Sequence, residues 1–317
     1  MKRLFALILS IAVLLTFFVS CEKEGASAKK TVIVFGDLSW DSAQVHNRIA
    51  AYIIENGLDG YEAEYMAGDT VPIMNGIIQG DVDVDMESWH KNVPEIYRKG
   101  IESGNMIDLG ENLPDGPQGW WVPRYVVEGP DAVAPGLKSV EDLPNYASLF
   151  KDPEDPSKGV VYAGVAGWGQ LTTSEEIFET YKLKDTFNMS IAGSGSALAG
   201  TMVGADKKRE PWVGYYWAPT AVMGKLDMVR LEGSEFPKAD INILVNSSML
   251  EKAPEVVEML KKYSTSVEDN NEVLALMDQN EWDTTQAAEW FLKNKEDVWT
   301  EWVDASVAEK VKAALQG

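Results

Sequence analysis

The chain is short of the residues on which most enzymatic chemistry depends. Of 317 residues, one is a cysteine, Cys21, and two are histidines, His46 and His90. With a single cysteine no internal disulfide can form, so the fold must rest on its core. Two separated histidines without a cysteine partner argue against a zinc site. Basic residues are also scarce: 28 Lys and Arg stand against 50 Asp and Glu, a formal net charge of −22. Such a surface excludes nucleic acid, because phosphate binding needs a basic patch. It favours encounter with cations over anions and steers zwitterions little. No Gly-x-x-x-x-Gly-Lys-Ser/Thr phosphate loop occurs, and Gly164 to Gly169 lacks the lysine. Gly193-Ser194-Gly195-Ser196 is not the nucleophile elbow of a serine hydrolase. Asp81, Asp83, Asp85 and Glu87 alternate along one segment but lack the spacing and central glycine of an EF-hand. Their alternation with valine predicts acids exposed at a sheet edge or a cleft mouth. His46 falls in an amphipathic helical segment and is predicted to be exposed. These absences predict no metal, no cofactor and no catalysis.

One long apolar run is present. Leu4 to Val19 follows Lys2 and Arg3, and at 16 residues it is too short for a membrane span and suited to a secretory signal. It ends at Phe18-Val19-Ser20-Cys21, which is similar to a bacterial lipoprotein cleavage site. The expectation is a signal peptide over 1–20, lipidation at Cys21 and a flexible tether over 21–30. Residues 1–20 carry two basic and no acidic side chains, so their removal takes the charge to −24.

Beyond the tether the pattern alternates. Thr31 to Phe35 is a β-branched run and predicts a buried strand, Ala43 to Glu55 a helix, Tyr61 to Met66 a strand, Asp69 to Gln79 a helix, and Asp81 to Glu87 a strand. This β-α-β-α-β order points to a parallel sheet in an α/β fold. A second set of strand and helix signals fills 124–235, and helices dominate after Val245. The reading is two α/β lobes, the second inserted into the first: 31–123 and 236–317 form lobe I, and 124–235 forms lobe II.

Eleven tryptophans stand out against the scarcities. Trp40 follows the first strand, Trp89 closes the acidic strand, Trp168 lies in Gly167-Trp168-Gly169, and Trp217 ends Trp212-Val213-Gly214-Tyr215-Tyr216-Trp217. Strand ends and glycine turns are where α/β folds present binding groups. Trp212, Trp282, Trp290, Trp299 and Trp302 are read as structural. Clustered indole faces attract a cation that has no hydrogen-bond donor, such as a quaternary ammonium.

Four segments carry a family resemblance: Met86-Glu87-Ser88-Trp89-His90; Gly119-Trp120-Trp121-Val122-Pro123-Arg124-Tyr125-Val126; Gly167-Trp168-Gly169-Gln170; and Gly214 to Thr220 running into Lys225 to Leu231. The chain resembles the substrate-binding proteins of glycine betaine, proline betaine and choline ABC importers over about 31–300. The resemblance implies a type II-like periplasmic-binding-protein fold with ligand in the inter-lobe cleft. It implies an aromatic box of Trp89, Trp168 and Trp217, with Trp40 as a fourth wall and Trp121 and Tyr125 as further candidates. It also implies a ligand carboxylate held by backbone amides at Gly169 and Gln170. Some relatives carry cysteines where Gly164 and Gln170 stand here, so this loop must be held otherwise. The implied partners are a quaternary amine, a permease subunit and, through the anchor, the membrane, with the receptor a monomer. Alternatives are a binder of choline, carnitine or trimethylamine N-oxide, or a sensor subunit on the same scaffold. Choline lacks a carboxylate and would want an acidic partner such as Asp41.

Overall fold

The computed structural model describes residues 29–113, 116–218, 220–237 and 240–317. The signal segment 1–20, Cys21 and most of the tether lie outside the described residues.

Two five-stranded sheets organise Thr31–Gly317. The first has the order β2-β1-β3-β10-β4. Strands β1 (Thr31–Leu38), β2 (Tyr61–Gly68) and β3 (Val84–Ser88) alternate with helices α1 (Asp41–Gly57) and α2 (Thr70–Gln79). As the alternation predicts, β1 pairs in parallel with β2 and β3. The sheet is nevertheless mixed: β10 (Ile241–Asn246) runs antiparallel between β3 and β4 (Met106–Leu113). The second sheet has the order β7-β6-β8-β5-β9. There β6 (Gly159–Val165) pairs in parallel with β7 (Phe187–Ala192) and β8 (Gly214–Trp217). β5 (Gln118–Pro123) lies antiparallel between β8 and β9 (Met228–Arg230).

The chain thus passes between the sheets twice, after β4 and before β10. Because β5 belongs to the second sheet, the first passage falls before Gln118 and not after residue 123 as the sequence suggested.

Helix α1 is buried on two sides, which explains a second departure. Val45, Ile49, Ile53 and Ile54 pack in one core with Ile33 and Phe35 of β1 and with Phe291, Leu292, Trp299 and Val311 of the C-terminal helices. Those helices include α4 (Thr284–Asn294) and α5 (Ala305–Ala314). A Cβ on Gly57 would come within 2.6 Å of Val307, so the helix end requires glycine for close approach. His46, predicted to be exposed, is 1% exposed for the same reason and meets the Tyr263 hydroxyl at 2.8 Å.

The acids of β3 depart further. Asp83, Asp85 and Glu87 are buried, because β3 is an interior strand with both faces covered. Asp83 is compensated by the Lys252 ammonium at 2.6 Å and by the Val34 amide at 2.8 Å. Asp85 and Glu87 have no such cation, and burial pushes each up to about 7.

Candidate functional site

Four turns at strand ends deliver four tryptophans to one place between the sheets. Trp40 follows β1 and caps α1, Trp89 follows β3, Trp168 precedes α3 (Gln170–Thr180), and Trp217 ends β8. Ring centroids of the pairs Trp40–Trp168, Trp40–Trp217, Trp89–Trp217 and Trp168–Trp217 are 5.1 to 6.5 Å apart, with planes at 76 to 83°. Edge-to-face arrangement at these distances is favourable in itself. The four indoles are 5 to 8% exposed and line one small cleft between the sheets. Thr70, Asn92 and Tyr215 complete the lining with Gly169 and Gln170.

Carboxylates hold the indoles from outside. Glu87 Oε1 accepts the indole N–H of both Trp40 (2.7 Å) and Trp89 (3.0 Å). The Trp168 N–H is shared between Asp69 Oδ1 (2.9 Å) and Ser39 Oγ (3.1 Å). Charge-assisted bonds of this kind fix ring orientation. Since Ser39 and Asp69 follow strands of the first sheet and Trp168 follows β6 of the second, the last contact crosses the cleft. The Val71 amide also crosses it, donating to the Gly167 carbonyl at 3.3 Å.

The loop at Gly164–Gln170 is held without a covalent link. The Gln170 side chain folds back to donate to the Ala163 carbonyl at 3.2 Å and lies directly over Gly164. A Cβ at residue 164 would fall 1.8 Å from Gln170 Nε2, and Gly164 has φ +134°. Only glycine allows that backbone conformation and that approach together. Gly169 is packed as tightly, since its Cβ would meet Val93 at 2.6 Å. The backbone of Gly169 and Gln170 opens α3, where a helix presents free N–H groups and a positive dipole end.

Not every predicted residue arrives at the cavity. Trp121 donates its N–H to the Tyr216 carbonyl at 2.9 Å, and Tyr125 donates to the Glu210 carbonyl at 2.8 Å with Arg209 stacked 3.7 Å above its ring. Neither lines the cavity. Tyr125 sits in the helical turn beyond the far end of β5, and Trp121 alternates with Trp120, which is buried in the core. Asp41 borders an adjoining cleft beside Trp40 and Trp217 rather than the cage. His90 stacks on Tyr97 with centroids 4.5 Å apart. Sequence reasoning missed Glu87 and Asp69 as supports. Glu87 had a signal, since it stands two residues before Trp89 on the same strand face. Asp69 had none, because its partner is 99 residues away.

Comparison with known proteins bears on the family and the fold. Residues 31–294 match the family model described as the substrate binding domain of the ABC-type glycine betaine transport system. A curated trimethylamine N-oxide-binding protein of Pelagibacter ubique is 23% identical over 95% of this chain and 99% of its own. Among solved structures, an ABC-transporter choline binding protein in complex with choline aligns with TM-score 0.78 at 19% identity, covering 90% of this chain and 98% of that one. Lactococcal OpuAC, closed on glycine betaine, aligns with TM-score 0.71 at 20% identity, covering 87% and 100%. These structures share the two-lobed α/β architecture of importer binding proteins. The chain therefore belongs to the family of substrate-binding domains of ABC-type glycine betaine transport systems.

Proposed function

We propose that this chain captures glycine betaine or a closely related quaternary ammonium compound in the tryptophan cage and delivers it to a membrane permease. The observation that carries the reading is the set of four edge-to-face indoles around one inter-sheet cavity. A trimethylammonium head is large and weakly hydrated and has no N–H to satisfy, so aromatic faces suit it. Each desolvated indole contributes ~1–2 kcal/mol. Three or four such contacts with one carboxylate anchor approach the ~8 kcal/mol of micromolar binding, against the cost of ordering and closure. The anchor is the start of α3, where the Gly169 and Gln170 amides meet a ligand carboxylate. The box is Trp40, Trp89, Trp168 and Trp217.

Family members are extracytoplasmic, and none of the described helices is long and apolar enough to cross a membrane. A lipid on Cys21, with 22–30 as tether, holds the receptor at the membrane as a monomer. One relative favours a second reading: the N-oxide-binding protein spans nearly the whole chain. Trimethylamine N-oxide keeps the trimethylated head and replaces the carboxylate with one oxygen.

Calorimetric titration with glycine betaine, choline, carnitine and trimethylamine N-oxide tests the reading. Tight glycine betaine binding with weak choline binding is expected. A preference for the N-oxide or choline keeps the cage and discards the amide anchor. Binding of none of the four overturns the reading.

A further inference from the structure

Behind the cage lies a buried polar chain that packing alone does not require. Glu87 is 1% exposed, and its Oε1 takes two indole N–H groups. Its other oxygen, Oε2, and His46 Nε2 lie 4.0 Å apart and make no bond of normal geometry, while Ser42 neighbours the carboxylate and Asn270 the imidazole. On the far side of the ring, His46 Nδ1 is 2.8 Å from the Tyr263 hydroxyl. The chain runs from Tyr263 through His46 to Glu87 and forks to two walls of the cage. The titratable groups around Glu87 are Asp85 on its own strand, His46 from α1 and, behind it, Tyr263; all are buried.

At 4.0 Å the two atoms are too far apart for a direct hydrogen bond but close enough for the protonation of one to bias the other, with the imidazole neutral throughout. With Glu87 ionised, a proton on His46 Nε2 points at Oε2, and Nδ1 accepts from the Tyr263 hydroxyl. With Glu87 protonated on Oε2, that O–H points at Nε2, and Nδ1–H donates to the Tyr263 oxygen. Burial holds His46 down to about 3, so the ring stays neutral in both.

We propose that Glu87 is the positioning residue of the cage: it sets Trp40 and Trp89 and is the buried counter-charge of the ligand's cationic head, while His46 and Tyr263 reverse their bond as Glu87 gains or loses its proton. The counter-charge half rests on the quaternary-ammonium reading; the positioning half rests on the hydrogen bonds alone. Glu87 lies near 7 through burial, and a cation between Trp40 and Trp89 favours its ionised form and lowers that value. Binding below about pH 7 therefore expels a proton, and affinity falls as pH drops.

Two measurements on the intact protein test this. In ligand-free protein, the Trp40 and Trp89 indole N–H resonances, assigned by Trp→Phe variants, shift together with a midpoint near 7. They stay fixed in Glu87→Gln, which keeps an oxygen for both N–H groups but carries no charge. In calorimetry with glycine betaine in buffers of differing ionisation enthalpy, the wild type releases protons at about pH 6.5. Glu87→Gln releases none and binds about fivefold or more weakly at about pH 8. Should Glu87→Gln not fold, the two wild-type pH readouts carry the test. Indole resonances and affinity that are both flat between about pH 5.5 and 8.5 overturn the proposal. Co-titrating indoles in a protein that binds no amine support the positioning role and count against the ammonium reading.

Discussion

The tryptophans of the cage and those of the C-terminal helices are almost equally buried, yet they are held in different ways. Trp299 and Trp302 are 0 and 3% exposed, against 5 to 8% for the cage. In the helical region the rings lie flat on neighbours: Trp302 packs on Tyr263 at 4.0 Å and 33° and on Phe291 at 6.2 Å and 19°. The Trp299 N–H goes to the Leu292 carbonyl, a neutral backbone acceptor. In the cage the planes stand nearly perpendicular, and the N–H groups of Trp40, Trp89 and Trp168 go to carboxylates. Burial therefore does not separate the two sets, and ring angle does so only in part, since Trp217 also stacks on Tyr216 and Tyr215 at 28 and 23°; the carboxylate partners of Trp40, Trp89 and Trp168 are the clearer difference.

The sharpest way to break the comparison is to empty one position in each set. Trp299→Ala removes a fully buried ring from the helical core, and chemical denaturation is expected to show a loss of ~3–5 kcal/mol. Ligand affinity of the fraction that still folds stays near that of the wild type. Affinity lost in proportion would mean that the two regions are not separable.

The next effect is a slope with pH. Burial raises the folded-state value of Glu87 to about 7 from an ordinary value of 4.5. The native state thus holds a proton that the unfolded chain gives up, and this contribution is full below 4.5 and is lost as pH rises through 7. Glu87→Gln lacks that loss. Its stability relative to the wild type is expected to improve by on the order of 2–3 kcal/mol between about pH 4.5 and 7, read from urea midpoints. A constant offset would show that Glu87 carries the same charge folded and unfolded.

The smallest change in free energy is the most diagnostic. Trp168→Ala or Trp217→Ala is expected to weaken glycine betaine binding at least tenfold, about 1.4 kcal/mol, with the fold retained. Unchanged affinity in both variants would return these residues to the core.

Much of this contrast was legible in the chain. The order from β1 to β3 followed from alternating apolar periods, and the four cage positions followed from tryptophans at strand ends and glycine turns. What was missed has physical reasons. β4 and β7 are edge strands carrying Asp108, Gly110 and Glu111, or Asn188 and Ser190, so no apolar alternation marks them. The acids of β3 looked solvated because the sequence does not tell that β10 arrives from the far end of the chain to cover that strand. Likewise, Trp121 and Tyr125 lie beside true cage segments in sequence but are carried away by strand alternation and by a helical turn.

The bonds that cross the cleft have a kinetic consequence. Trp168 to Asp69 and Val71 to Gly167 tie the two sheets through protein atoms alone. Parting the sheets must break both, so part of the barrier to opening is set by the protein itself. Opening is thus opposed by contacts that exist without any ligand.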